Sequence, residues 1–178
     1  MAIYEFEGCK PLIGKGSFIH PEATIIGDVI LGEGCYVGPG ACIRADWGKI
    51  IIGPESNIQD NCVIHVYPGE TARLGPRSHI GHGAILHTPN LEEHVVVGMG
   101  AIILDHSKIG EGCCIGAGAV VTENSVIPPY TLVVGVPAKI MGNVNETMQK
   151  RLERGTAHYI ELASRSNERL KELTKETR

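Results

Sequence analysis

The chain has 178 residues, the size of one ordinary domain. A net charge of −4 and a pI near 6.1 exclude a nucleic-acid surface and a polybasic membrane patch. No apolar run approaches the ~20 residues of a spanning helix, and the start MAIYEFEGCK lacks the apolar stretch of a signal peptide. A soluble, cytoplasmic enzyme with no membrane or nucleic-acid partner is expected.

Glycine occurs 23 times and aromatic residues make up only 4% of the chain. That composition points to a core of small branched side chains at a fixed spacing. The spacing is six. Residues Ile13, Ile19, Ile25, Leu31, Val37 and Ile43 lead one hexad each, and after a three-residue slip come Ile52, Ile58 and Ile64. A longer insertion precedes Leu74, Ile80 and Leu86. One residue is then dropped, and Leu91, Val97, Ile103, Ile109, Ile115, Val121, Ile127 and Val133 keep strict register. The fifth residue of each hexad is usually small, as at Ala23, Ala41, Ser56, Ser78 and Ala84, and Cys35, Cys62 and Cys113 take the same place. Those cysteines are therefore expected as buried corner residues, not a zinc or disulfide framework.

A period of six is neither helical nor simple alternation. It predicts an all-β solenoid, a left-handed parallel β-helix with three hexads per coil, the aliphatic inward and the small residue at the corner. Coils then stack about 4.8 Å apart, and the ends need covers. Residues 1–12 are read as an N-terminal cap, 13–142 as the β-helix and 143–178 as a C-terminal helical segment. That helix is expected to break near Gly155, to lay Leu152, Tyr159 and Leu162/Ala163 on the solenoid, and to leave the last ten residues loose.

The register locates the chemistry. Inward Ile43, Ile64 and Leu86 begin the third face of successive coils, so the residues after them, Arg44, His65 and His87, form an outward column. One coil spacing puts the imidazoles of His65 and His87 where two ligands of one metal ion would stand. His82 falls on the second face, above Asp60, where it can reach the pair of a neighbouring prism but not easily its own. Three prisms around a threefold axis close such a ring, so a homotrimer with metal sites shared between subunits is expected. The remaining histidines, His20, His79, His94, His106 and His158, are read as surface or turn residues.

The stretches Ile43–Asp46 (IRAD), Asn57–His65 (NIQDNCVIH) and Ile80–His87 (IGHGAILH) resemble the γ-class carbonic anhydrase family of hexapeptide-repeat proteins. MAIYEF, GDVILG and RGTAHY look more like its phenylacetate-degradation and carnitine-operon branch than like the founding enzyme. The resemblance implies His65, His82 and His87 as zinc ligands, with iron or cobalt also suited to imidazole. It implies Gln59 as the hydrogen-bond partner of the metal-bound water, and Arg44, Asp46 and Asp60 as an ion-pair cluster at the subunit boundary. The implied activity is hydration of carbon dioxide to bicarbonate by a metal-bound hydroxide. Two departures bear on proton export. The loop Val66–Ala72 carries Glu70 as its sole carboxylate, and Trp47 stands where the founding enzyme has a glutamate. Glu70 is the remaining shuttle candidate, with slow export expected. Tyr159 is a further candidate near the site, with packing as its competing role.

Two other readings stand beside carbonic anhydrase. The fold commonly serves coenzyme A chemistry, so the chain is alternatively an acyl-CoA thioesterase or hexapeptide acyltransferase. It could also be a metal-stabilised assembly protein without turnover.

Overall fold

The computed structural model describes residues 2–173. The hexad periodicity becomes a parallel β-solenoid of three faces, the left-handed β-helix of hexapeptide repeats. Leu12–Ile13, the end of Thr24–Leu31, the end of Cys42–Ile52, Thr71–Leu74, Asn90–Leu91, Lys108–Ile109 and Val126–Ile127 stack as the first face. The second face runs from Phe18–Ile19 through Asn57–Ile58 and His79–Ile80 to Thr131–Val134. The third includes the pairings Ile25↔Ile43, Ile43↔Ile64, Ile64↔Leu86 and Leu86↔Ile103. Aliphatic side chains of all three faces meet along the axis. Ile25, Ile43, Ile58, Ile64, Ile80, Leu86 and Ile103 are fully buried there, each contributing on the order of 2 kcal/mol of hydrophobic burial.

The corners explain the small fifth residues. Ala23, Cys35, Cys62, Ser78, Ala84 and Cys113 are fully buried, and burial pushes the Cys35 and Cys62 thiols up to about 11. They are inert packing groups. Gly53 shows why glycine follows the aliphatic: a Cβ there would lie 2.4 Å from the backbone nitrogen of Pro76, one coil further on. Stacking that close leaves no room for a side chain.

The N-terminal residues join the solenoid directly, because Ala2–Tyr4 pairs in parallel with Thr24–Ile26. At the other end Lys139–Asn143 folds back antiparallel on Thr131–Val134. The C-terminal helix spans Glu146–Arg169 without interruption, capped by the Asn145 side chain, which accepts from the Met148 N–H. The expected break at Gly155 does not occur. One glycine costs a helix about 1 kcal/mol relative to alanine, and packing on the second face outweighs it. Phe18 and Tyr36 receive Ala163, Tyr159 and Leu162 from the helix there. The helix ends at Arg169; of the ten residues expected to be loose, 174–178 lie outside the described residues. Among the described residues no helix is long and apolar enough to cross a membrane.

Candidate functional site

The strands Val63–His65 and Ile85–His87 pair in register, with Arg44 opposite His65 and His65 opposite His87. The expected column therefore forms. His65 Nδ1 faces His87 Nε2 at 3.0 Å. The outer nitrogens are each held by a carboxylate: His65 Nε2 by Asp46 at 3.0 Å, and His87 Nδ1 by Asp105. Asp46 is itself clamped by Arg44 at 2.6 Å.

These contacts fix the tautomers. A carboxylate accepts only, so in each neutral ring the outer nitrogen carries the proton. The inner nitrogens are then two lone pairs aimed at one another, an arrangement that repels unless a proton or metal ion lies between. Burial opposes ionisation of Asp46 and Asp105, but hydrogen bonds from Arg44 and His65 to the first, and from His87 and Thr88 to the second, hold both carboxyls below the usual range. A histidine whose far nitrogen donates to a carboxylate is the usual support of a metal-ligating imidazole. Two nitrogens about 2.0–2.1 Å from one tetrahedral ion stand roughly 3.3 Å apart. Two imidazoles are the chemistry of a divalent-cation site but not a complete ligand set: among the described residues of one chain no three His, Cys, Asp or Glu side chains converge on one point.

His82 lies on the other face, as its register requires. Its Nδ1 meets Asp60 at 3.3 Å, its Nε2 is 3.4 Å from the Tyr159 hydroxyl, and its backbone N–H donates to Gln59 Oε1. Within one chain, then, the cluster of Arg44, Asp46 and Asp60 divides: the first two support His65, and Asp60 supports His82. Gln59 is buried, and its amide nitrogen faces Asn57 Oδ1 at 2.9 Å and His79 Nε2 at 2.8 Å. It holds the His82 backbone from below. Tyr159 packs edge-on against His79 and tilted against Tyr36. Its phenol is pushed up by burial and by Asp60, so it stays protonated.

His79 corrects the surface reading. It is enclosed by Asn57, Gln59 and Tyr159, and burial, followed by the charge of His82, lowers its pKa to about 4. Its register position before an inward aliphatic turns it outward, and it is the C-terminal helix that encloses it through Tyr159. Glu70 pairs with His106 at 3.2 Å. Trp47 sets its ring against His65 at a tilt of 54°, with centroids 5.6 Å apart.

Sequence reasoning missed Asp105, the partner of His87. The available signal was symmetry: a carboxylate follows the ligand column in the coil before His65 and in the coil after His87.

A family model for bacterial transferase hexapeptide (six repeats) matches residues 10–45 and 88–123. The carnitine operon protein CaiE of Escherichia coli is 39% identical over 174 residues, covering 97% of this chain and 88% of that protein. The chain belongs to the hexapeptide-repeat family, in its CaiE branch. CaiE of a Proteus species is 36% identical over the same length. Among solved structures, a Bacillus cereus protein provisionally described as an acetyltransferase superposes with TM-score 0.90 at 38% identity, covering 92% of this chain and 95% of its own. A hexapeptide transferase family protein of Anaplasma phagocytophilum gives 0.87 at 33% identity, covering 91% and 96%. The unmatched stretch of the family model, 46–87, holds His65, His82 and His87. The histidine pair thus lies in the stretch where the plain repeat is interrupted.

Proposed function

We propose that this CaiE-branch protein is an enzyme of acyl-CoA chemistry, catalysing attack on a thioester carbonyl at the His65/His87 column. The observation that carries the reading is the pair of aspartate-backed imidazoles on adjacent coils with their basic nitrogens turned to one point. An imidazole oriented by a carboxylate is the usual general base of acyl transfer. It takes the proton of an acceptor hydroxyl, amine or water as the acceptor oxygen or nitrogen bonds to the carbonyl carbon. The carbon–sulfur bond breaks, and the proton passes to the departing thiolate. Asp46 and Asp105 stabilise the imidazolium in between. The transferase and acetyltransferase descriptions of the solved relatives support this class.

A second reading, hydration of carbon dioxide, is favoured by the same two lone pairs read as metal ligands. His65 and His87, with His82 of the partner subunit in a homotrimer, would hold a zinc, iron or cobalt ion. Such an ion supplies Lewis acidity and lowers the pKa of water. A homotrimer belongs to this reading, because His82 stands on a separate face and would join the pair only from a neighbouring subunit.

The deciding experiment runs a thioester panel, read by thiol release, beside stopped-flow carbon dioxide hydration, on metal-loaded and metal-stripped protein. Thiol release lost in His87→Ala supports acyl chemistry. Hydration alone, abolished by stripping, replaces it with the second reading. Neither activity in loaded, folded protein sinks both.

A further inference from the structure

The hexad repeat is interrupted three times, and all three interruptions fall at one corner, between the third face and the first, in successive coils. Three extra residues lie between Ile43 and Ile52, four between Ile64 and Leu74, and one is missing between Leu86 and Leu91. Elsewhere from Ile13 to Val133 the spacing is strict. The corner adjoins His65 and His87.

The interruptions fold onto one another. Gly69 N–H donates to the Trp47 carbonyl at 2.8 Å, and Lys49 N–H to the Glu70 carbonyl at 2.9 Å. Gly48 is pressed so close that a Cβ would lie 2.4 Å from the Glu70 carbonyl oxygen. Tyr67 N–H donates to the Thr88 hydroxyl at 2.8 Å, and Thr88 N–H to the His65 carbonyl at 3.1 Å. Two inserted loops thus become one braced ledge, pinned to the backbone of a site histidine. In a chain with few aromatic residues the ledge carries two, Trp47 and Tyr67, 58% and 52% exposed. Large exposed rings on a rigid support offer apolar contact at little entropic cost.

We propose that the Trp47–Tyr67 ledge binds the apolar acyl group of the substrate and selects for its length. This rests on the acyl-CoA reading. A substrate whose carbonyl reaches His65 and His87 places its acyl substituent beside Trp47, whose ring already lies against His65. Carbon dioxide has no such substituent and would make no use of the exposed faces of either ring, of which Trp47 lies against His65 and Tyr67 against His106.

Trp47 is the chain's one tryptophan, so its fluorescence reports the ledge directly. The full-length protein is titrated with hexanoyl-CoA, acetyl-CoA, free coenzyme A and bicarbonate. Hexanoyl-CoA changes the emission saturably, at a half-saturating concentration about tenfold or more below that of acetyl-CoA, as four partly buried methylenes require. Free coenzyme A and bicarbonate leave it unchanged. Tyr67→Ala weakens hexanoyl-CoA several-fold and acetyl-CoA little, and Trp47→Ala removes the chain-length dependence of KM in thiol release. A saturable response without thiol release keeps the ledge as a binding site and overturns the catalytic reading. Thiol release with no chain-length dependence overturns the ledge, as does a Trp47 that acrylamide cannot quench in the ligand-free protein, since a partner subunit then covers it.

Discussion

Asp105 grips the outer nitrogen of His87 from the next coil along, as Asp46 grips His65 from the coil before. The two carboxylates bracket the histidine pair along the solenoid axis. Each orients its imidazole and keeps the lone pair turned inward.

Asp105→Asn keeps the size of the side chain but can present an N–H to His87 in place of an acceptor. Affinity for zinc or cobalt should fall about 10–100-fold while the fold is retained. Competition titration with a chromophoric chelator measures this, with circular dichroism as the control. An unchanged affinity would remove Asp105 from the site.

His79 gives a pH prediction. Its folded-state pKa is depressed to about 4 by burial, against an unfolded value near 6.5. Between those values the unfolded chain binds the extra proton, so stability rises with pH through this window and is lost as pH falls below about 6.5. The full difference amounts to roughly 3 kcal/mol. His79→Gln should flatten urea-derived stability between pH 6.5 and 4. A variant as acid-sensitive as the parent would place the titrating group elsewhere.

The solenoid was legible because its period is enforced by packing. Each inward aliphatic and each small corner residue repeats, and a one-residue error would turn Ile64 outward and His65 into the core. The same register placed His65 over His87 and His82 over Asp60. What it could not give was anything decided off the repeat. The pairing of Glu70 with His106 and the ledge of Trp47 and Tyr67 depend on how two loops of unequal length settle on each other. The enclosure of His79 depends on a helix more than sixty residues further along the chain. Gly155 does not break the helix, because the face that the helix covers outweighs the local propensity of one glycine.

Gly53→Ala tests the stacking itself. The new methyl meets Pro76 backbone 2.4 Å away, so two coils must separate beneath the site. Overpacking of this kind costs typically about 1–3 kcal/mol, measured as a lower urea midpoint. Gly69→Ala is the comparison: its position is open and its cost is that of a left-handed backbone, since φ is +76°. It should destabilise less and act on the loop.

The shared site makes a prediction no single-chain site would. Suppose each site takes His65 and His87 from one subunit and His82 from the next. His82→Ala and His65→Ala homotrimers then each lack every complete site. In a mixed trimer, one boundary sets the intact pair of a His82→Ala subunit against the intact His82 of a His65→Ala subunit. That boundary regains three ligands, and the other two do not, whichever variant is present twice. Coexpression with two affinity tags, followed by sequential purification, isolates mixed trimers, and metal analysis should find about one ion in each. Trimers that assemble yet recover no ion would mean that His82 is not a ligand across the boundary. Asp60 and Tyr159 would then be holding it for its own chain.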